Sequence, residues 1–459
     1  MTETPYTTAL HHLAASRIAE ATDAFRAILR DDPTHAGARR NLIRALIATG
    51  AYDAVIAETA IALRHAPESA ELHFLRGTAF NALSRPNEAR ETLRAAVALN
   101  PNLAPAWLNL GNALMDLDDL AAAEAHCRQA LERDPGLIEA HVSLGFILTS
   151  AGRTAEAIVT LETAIRLAPG NVRAHWNLAT ACLLSGDLPR GFAEYEWRKR
   201  HDRFRRDFID LPGPVWDGGD PCGRTILIHA EQGLGDTIQF ARYLPLIAAR
   251  GGTPILACEP SLIPLFATLA RSRVVSKFEP LPPYDAWIDQ MSLPHVFGTT
   301  LDTIPFPSGY LTAPDRVPLP ATRHVGLAWR GNPAHSNDRR RTPPEDVFAP
   351  LLALPSRRFV SLVPNVTLPG TEPWPLTDYA ATASLIAALD LVITVDTSVA
   401  HVAGAMGKAA WVLLPFAPDW RWMLGRNDSP WYDSLRLFRQ PAPGDWGSVI
   451  TEVVAALAT

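Results

Sequence analysis

Proline recurs in the first part of the chain at an interval that fixes its architecture. Five prolines are each separated from the next by 34 residues: Pro33, Pro67, Pro101, Pro135 and Pro169. This interval accommodates two antiparallel helices, and each proline closes one helix pair because proline cannot continue a helix. A single pair of this size cannot bury its own apolar face, so the pairs must stack into a solenoid.

The residues between the prolines also repeat. The clearest copy contains Trp107, Leu110, Gly111 and Leu114, followed by Ala123, Cys127 and Pro135. Small residues at the Gly111 and Ala123 positions let the two helices of a pair approach closely. This period and pattern are typical of tetratricopeptide repeats. We predict five full repeats over residues 2–171 and a partial sixth over 172–200, so that residues 1–200 form a repeat domain.

Asparagine occupies one equivalent position in three of these repeats, at Asn41, Asn109 and Asn177. First-helix residues of such repeats line the concave groove, where an amide side chain can both donate to and accept from an extended peptide. These residues are therefore candidates for an acceptor or peptide groove. The alternative is that they bond only to neighbouring helices or to water.

Composition excludes several classes of protein. A net charge of −6 and a pI near 6.2 argue against a nucleic-acid binder. No stretch reaches the roughly 18 apolar residues of a membrane span, and the first residues lack the pattern of a signal peptide. Cys127, Cys182, Cys222 and Cys258 have no metal-ligand spacing, which predicts buried, reduced thiols. We therefore expect a cytoplasmic protein without a transmembrane segment or metal.

The character of the chain changes near residue 200, since only nine of the 39 prolines and three of the 12 tryptophans lie before it. Beyond this point, short apolar runs alternate with helical stretches, which favours parallel sheets. We predict a linker over residues 201–224 and two Rossmann-like lobes over 225–315 and 321–459. The predicted strands are Thr225–His229, Pro254–Cys258, Val274–Phe278, Ala286–Asp289, Val325–Trp329, Phe359–Val363, Leu391–Val395 and Ala410–Leu414.

A glycine-rich turn follows the first predicted strand, with Gly233 and Gly235 before Asp236 and a helix near Thr237. Glycines let backbone amides approach an anion, and a helix start carries partial positive charge. Asp236 stands where a carboxylate can take a proton from an attacking hydroxyl group. It can equally cap the helix, and the two roles are compatible.

A basic loop follows the predicted strand Val325–Trp329. It supplies four candidate phosphate ligands: Arg330, Asn332, Arg339 and Arg341. Guanidinium groups match the geometry of phosphate oxygens, and the end of a parallel strand is where such sheets bind ligands. A solvated charged surface is the alternative.

The apolar strand Leu391–Val395 leads into Asp396, Thr397, Ser398 and His401. A helix beginning near Ser398 would direct its free amides into a cleft, where they can hold a diphosphate. Thr397 or Ser398 can instead be a helix cap, and His401 an interior histidine with a satisfied hydrogen bond. The aromatic residues at Pro415–Tyr432 can stack on a base or a sugar, but such residues more often pack the edge of a lobe, so this cluster is a secondary candidate.

Together, these motifs resemble the ADP-heptose:lipopolysaccharide heptosyltransferases, which have the GT-B fold. The matching residues are Gly233–Asp236 and Thr394–His401, and the segments 328–339 and 418–422 are typical of bacterial tetratricopeptide proteins with a C-terminal glycosyltransferase-like domain. The resemblance implies an all-α repeat solenoid followed by a two-lobed α/β GT-B-like domain. Its plan is also similar to that of the protein O-linked N-acetylglucosamine transferases.

The resemblance further implies an inverting, metal-independent transfer from a nucleotide-sugar, with no cofactor. Asp236 matches the catalytic base, and Asp396, Thr397, Ser398 and His401 match the segment that holds the donor diphosphate. Ser398 departs from the glycine usual there, and the donor-binding lysine has no counterpart other than Arg330, Arg339 or Arg341. The acceptor is either a polypeptide held by the solenoid or a surface glycan, with the repeats then docking a protein partner. The third possibility is a non-catalytic scaffold that keeps the fold but has lost transferase activity.

Overall fold

The computed structural model describes residues 4–269, 271–315, 317–320, 323–334, 338–355 and 357–458. The chain divides into two compact units, Met1–Asn177 and Leu178–Thr459. Each unit has its own core. Cys127, Cys182 and Cys258 are buried free thiols as expected, whereas Cys222 is exposed, which corrects the prediction for that residue.

The first unit consists of antiparallel helix pairs, as the proline period predicts. Its helices are α1 (Pro5–Ala14), α2 (Ile18–Asp31), α3 (Ala36–Ala48), α4 (Tyr52–His65), α5 (Ala70–Ala82), α6 (Pro86–Leu99), α7 (Ala104–Asp116), α8 (Leu120–Arg133), α9 (Ile138–Ser150) and α10 (Thr154–Leu167). At Gly111 an added methyl group would lie 2.8 Å from Cys127 Sγ, so α7 and α8 approach as closely as the small residues predict.

A second repeated feature closes the loops between the pairs. The side chain six residues after each proline donates a hydrogen bond to that proline's carbonyl oxygen, as Trp107 Nε1 does to Pro101 at 2.8 Å. The other donors are Arg39, His73, His141 and His175. Because a loop carbonyl needs a partner, this position favours side chains with an N–H group. The proline spacing alone does not reveal this series of hydrogen bonds.

Helix α11 (Val172–Ser185) crosses the boundary between the units, and α12 (Leu188–Tyr195) lies in the second. The division between the compact units falls after Asn177, whereas the predicted repeat domain extends to about residue 200. Aromatic packing explains the difference: the ring of Phe192 lies 5.7 Å from Trp420 and 6.4 Å from both Phe240 and Trp431. The end of the repeat pattern thus belongs to the core of the second unit.

The second unit contains two parallel sheets. The first comprises β1 (Thr225–His229), β2 (Thr253–Cys258), β3 (Arg273–Ser276) and β4 (Ala286–Asp289) in the order β3-β2-β1-β4. The second comprises β5 (His324–Ala328), β6 (Arg358–Ser361), β7 (Thr371–Glu372), β8 (Leu391–Val395), β9 (Ala410–Leu414) and β10 (Leu435–Arg439) in the order β7-β6-β5-β8-β9-β10.

Both orders are those of doubly wound sheets, in which the chain starts at the centre and builds outward in two directions. The direction reverses between β1 and β4 in the first sheet and between β5 and β8 in the second. Crevices at the carboxyl ends of such strand pairs bind ligands. The fold therefore places two potential binding edges in this unit.

Helices connect the strands. They are α13 (Leu234–Phe240), α14 (Leu244–Ala249), α15 (Ile263–Phe266), α16 (Leu293–Val296), α17 (Asp338–Arg341), α18 (Ala349–Leu352), α19 (Tyr379–Ala388), α20 (Ser398–Ala405) and α21 (Trp446–Ala458). The helix predicted near Thr237 is α13, and a 3-10 turn separates it from α14. Pro245, in the first turn of α14, explains the break, because proline suits a helix start and not its interior.

Candidate functional site

Asp236 has two structural partners at the end of the first sheet. Its Oδ2 accepts a hydrogen bond from the backbone N–H of Gly233 at 2.9 Å, so it caps α13. Its Oδ1 accepts a hydrogen bond from the Arg421 guanidinium. The side chain keeps 24% of its surface exposed, so a solvent-accessible face remains. Asp236 therefore caps the helix, as one of the two predicted roles requires. It also forms an ion pair with Arg421 that the sequence did not predict.

Arg421 joins the two lobes of the second unit. It follows β9 and is 7% exposed, and its Nε donates to Gln239 Oε1 at 2.6 Å and its Nη1 to Asp419 Oδ1 at 2.8 Å. The guanidinium lies 4.2 Å from the centroid of the Trp420 ring. The Asp-Trp-Arg-Trp sequence is the available signal, and its tryptophans predicted stacking on a ligand or, more often, packing at the edge of a lobe. Trp420 and Trp422 are indeed buried.

The start of α20 lies at the carboxyl end of β8, as predicted. Thr397 is the N-cap, since its Oγ1 accepts a hydrogen bond from Val399 N at 3.3 Å. Ser398 Oγ lies 2.6 Å from the Tyr379 hydroxyl oxygen, and the two hydroxyl groups share a hydrogen bond. The first amides of a helix have no partner within the helix, so α20 keeps donors at this edge.

His401 lies in the interior and does not face solvent. It is 5% exposed, its Nδ1 is 3.0 Å from the Tyr432 hydroxyl, and its ring stacks 5.6 Å from Trp422. Burial and the charges of nearby arginines lower the pKa of His401 well below its ordinary value. The imidazole is therefore neutral at physiological pH, which favours the interior alternative.

The glycine turn and the start of α20 are in direct contact. A methyl group added at Gly235 would lie 2.9 Å from His401 Cδ2 and 3.5 Å from Ser398 Cα. The absence of a side chain at Gly235 is therefore what lets α13 and α20 approach. Two of the predicted motifs, one from each lobe, form a single site.

Arg341 brings the basic loop to the same place. Its Nη1 donates to the Asp396 carbonyl at 2.9 Å and its Nε to Asp338 Oδ1 at 3.2 Å. A methyl group at Gly331 would lie 2.5 Å from Arg341 Nη2 and 3.2 Å from Thr397 Cγ2. The side chain of Arg341 thus lies beside the start of α20.

Other predicted loop residues have different surroundings. Arg330, Asn332 and Arg339 are exposed, and Asn332 Oδ1 accepts a hydrogen bond from Ala334 N at 3.0 Å within its own turn. The segment His335–Asn337, part of the same motif, lies outside the described residues. Of the four candidate ligands in this loop, Arg341 is placed at the site by its hydrogen bond to the Asp396 carbonyl.

Asp396 carries the clearest electrostatic signature of the site. Burial, and then the nearby charge of Asp419, raise the pKa of the Asp396 carboxyl to about 6. Arg421 forms ion pairs with Asp236 and Asp419, and the charges of Arg341 and Arg421 oppose the rise in the pKa of Asp396. Strongly shifted acids of this kind are found at functional sites as well as in structural ion-pair networks.

The groove asparagines bond between neighbouring helices. The Nδ2 atoms of Asn41, Asn109 and Asn177 donate to Tyr6 Oη at 3.0 Å, Thr78 Oγ1 at 2.8 Å and the Val142 carbonyl at 3.4 Å. The amide donors are therefore engaged within the first unit, in line with the alternative. All three residues remain partly exposed.

Side-chain clusters and helix lengths in the described residues bear on metal binding and membrane crossing. In that part of the chain no group of three or more His, Cys, Asp or Glu side chains is arranged to hold a metal ion. Its helices are also all too short or too polar to cross a bilayer.

Family models for tetratricopeptide repeats match residues 12–77, 55–104, 104–137 and 148–191. The first unit is a tetratricopeptide-repeat array. Such repeats mediate protein–protein interactions, so this unit is a protein-interaction module. The matches extend into α12, which the structure assigns to the second unit.

The chain is also similar to Protein FlbA of Caulobacter vibrioides, with 27% identity over 425 residues that cover 83% of this chain and 71% of that protein. The matched 83% of this chain is longer than the first unit alone, so the similarity extends into the α/β unit. Among solved structures, the thermophilic TPR protein TTC0263 of Thermus thermophilus has 24% identity and a TM-score of 0.34, covering 39% of this chain and 97% of that one. YrrB, a TPR protein with an unusual peptide-binding site, has 17% identity and a TM-score of 0.33, covering 40% and 94%.

Proposed function

We propose that the second unit is an inverting, metal-independent glycosyltransferase with a nucleotide-sugar donor, and that the repeat array recruits a polypeptide acceptor or a protein partner. The observation that carries this proposal is the convergence of Arg341 and the first amides of α20 at the carboxyl end of β8. This is the edge where a doubly wound sheet binds a nucleotide.

In this proposal the donor diphosphate lies against the amides that begin at Ser398, and Arg341 supplies the cation. Fixed donors of this kind stabilise the charge that develops on the departing nucleoside diphosphate. The anomeric C–O bond breaks, and its electron pair leaves with the diphosphate. No divalent ion is then needed to balance that charge.

Asp236 is the proposed base. It removes the proton from the acceptor hydroxyl while the acceptor oxygen bonds to the anomeric carbon, which inverts that centre in one displacement. The ion pair with Arg421 supports this role because it fixes the orientation of the carboxylate. The hydrogen bond from Gly233 N holds the carboxylate at the mouth of the turn.

Two acceptors are consistent with the repeat array: a polypeptide, or a surface glycan whose enzyme docks on a protein through the repeats. A non-catalytic scaffold is the second candidate function. It is favoured by one observation, that both carboxylate oxygens of Asp236 already have partners in the chain itself.

Thermal unfolding in the presence of individual nucleotide-sugars tests the donor half of the proposal. A ligand that binds only the folded state stabilises it by about 2.7 kcal/mol at 100 times its Kd, which gives a measurable rise in Tm. A donor found in this way is then used in a transfer assay with labelled sugar and candidate acceptors.

Asp236→Asn separates the candidate functions in that assay. We expect the variant to lose transfer by at least about a hundredfold, because a general base contributes roughly 10²–10⁴, while donor affinity stays within about twofold. Wild-type protein that binds a donor but neither transfers nor hydrolyses it would support the scaffold. Transfer that persists in Asp236→Asn would leave Asp236 as a helix cap only.

A further inference from the structure

The residues that connect α12 to the first sheet lie across the carboxyl ends of its strands. We call residues 196–208 the connecting segment. Arg198 in this segment is fully buried, and its Nη2 donates to Glu231 Oε1 at 2.9 Å and to Ser292 Oγ at 2.8 Å. Lys199 Nζ lies 3.5 Å from Asp289 Oδ2, at the end of β4. The connecting segment is therefore fixed at the carboxyl ends of the neighbouring strands β1 and β4.

On the outer side of the connecting segment, exposed basic residues outnumber the exposed acidic residues Asp202 and Asp207. Four of its arginines are exposed: Arg200, Arg203, Arg205 and Arg206. The chain as a whole has a net charge of −6, so this concentration of positive charge is local. Such a patch attracts anionic surfaces over a distance of about a Debye length, roughly 8 Å at physiological salt.

An exposed aromatic side chain lies at the same edge. Phe278, just after β3, is 72% exposed. Its neighbour Lys277 donates from Nζ to the Ala230 carbonyl at 2.9 Å, which places it at the carboxyl end of β1. The charges of Lys277 and Arg203 oppose the burial that raises the pKa of Asp207, so both cations lie near that carboxyl group of the connecting segment. Basic and apolar groups are thus combined on one surface.

We propose that this edge docks the protein on an anionic lipid bilayer. Guanidinium groups bind lipid phosphates, and a phenyl ring is stabilised at the boundary between headgroups and acyl chains. A soluble polyanion without apolar groups would bind the arginines but would leave the phenyl ring of Phe278 in water. Docking of this kind is independent of glycosyl transfer and does not require the proposed function.

Sedimentation of the full chain with vesicles tests this proposal. We expect binding to vesicles of phosphatidylcholine with phosphatidylglycerol, little binding to phosphatidylcholine alone, and release at high salt. A basic residue near an anionic membrane contributes about 1 kcal/mol, or roughly fivefold in affinity. Arg205→Glu/Arg206→Glu should therefore weaken binding by at least about twentyfold, and Phe278→Ser should weaken it without changing the net charge.

The matched control is Arg26→Glu/Arg30→Glu, which makes the same change of charge at exposed arginines of α2. It should bind vesicles like the wild type, and circular dichroism should show that all variants are folded. The proposal is overturned if the wild type ignores anionic vesicles, if it binds neutral vesicles equally well, or if the control is weakened as much as Arg205→Glu/Arg206→Glu. It is also overturned if Phe278→Ser binds like the wild type, which would indicate a soluble polyanion as the partner.

Discussion

At the scale of single residues, Arg421 organises the candidate site. It is buried between carboxylates from both lobes, Asp236 and Asp419, and stacks on Trp420. Breaking a buried pair by removing one partner leaves an uncompensated charge, which is far more costly than losing an exposed pair. The orientation of Asp236 therefore depends on the Asp-Trp-Arg-Trp loop as much as on its own glycine turn.

The raised pKa of Asp396 gives a prediction for stability against pH. A carboxyl group whose pKa rises on folding stabilises the folded state below its ordinary value of 3.8, and this stabilisation is lost as the pH rises through about 6. Asp396→Asn cannot ionise. We expect the free energy of unfolding of Asp396→Asn minus that of the wild type to increase by about 1 kcal/mol or more between pH 4.5 and pH 8. Urea denaturation at the two pH values measures this difference.

Asp445→Asn provides a control with the opposite sign. Hydrogen bonds from Ser448 lower the pKa of Asp445, so its carboxylate stabilises the folded state as the pH rises above its ordinary value. This variant should not gain stability relative to wild type at pH 8. A pH-independent difference between Asp396→Asn and wild type would show that the Asp396 carboxyl has an ordinary pKa.

The sequence predicted that the glycine turn before Asp236 and the start of α20 face one cleft from two lobes, and the close contact of Gly235 with Ser398 and His401 brings these two motifs together. It did not resolve whether Thr397 and His401 bind ligand or are structural. The contacts settle their local roles as a helix cap and a neutral interior histidine. The sequence places Arg421 only within the secondary candidate cluster Pro415–Tyr432, because its contact with Asp236 across the lobes has no local trace in the sequence.

At the scale of secondary structure elements, the site depends on the contact between α13 and α20. The two helices can approach because Gly235 has no side chain. A methyl group at this position would meet His401 and the Ser398 backbone. His401 is held by Tyr432 and Trp422 and has little room to move. The neighbouring Gly233 is less constrained, because among the described residues a methyl group there would meet only Asp236 Oδ2, at 3.0 Å.

Gly235→Ala should therefore destabilise the second unit. Overpacking of a well-packed contact costs typically about 1–3 kcal/mol, and we expect a loss in that range by urea denaturation, with weaker nucleotide binding. The matched control is Gly170→Ala in the repeat array, where an added methyl group has no atom within 4 Å in the described structure. Equal stability of both variants would mean that α13 and α20 can separate freely.

Strands were the most predictable elements. Thr225–His229, Ala286–Asp289, Leu391–Val395 and Ala410–Leu414 have the predicted bounds, because buried parallel strands are continuous apolar runs. β10 was missed because Arg436 and Arg439 interrupt its apolar pattern at the edge of the sheet. β7 spans only two residues and has no pattern to detect.

At the scale of the whole molecule, a protein-interaction array and a doubly wound α/β unit are encoded in one chain, and the similarity to Protein FlbA extends over both. The proline period predicted the repeats, and the change in composition predicted a second domain. The boundary between the compact units was displaced because Phe192 and Arg198, at the end of the repeat pattern, are buried in the α/β core. Long-range burial of this kind is not visible in local periodicity.

The central claim is that a diphosphate binds where Arg341 meets the start of α20. Calorimetric titration of the full chain with nucleoside diphosphates tests it most directly, in the wild type, in Arg341→Gln and in Arg339→Gln, whose arginine is exposed on the same short helix. A hydrogen bond to a charged group contributes about 1.5–3 kcal/mol, so Arg341→Gln should lose at least about tenfold in affinity while Arg339→Gln binds like the wild type. Equal affinity of the two variants, or no binding by the wild type, would contradict the account.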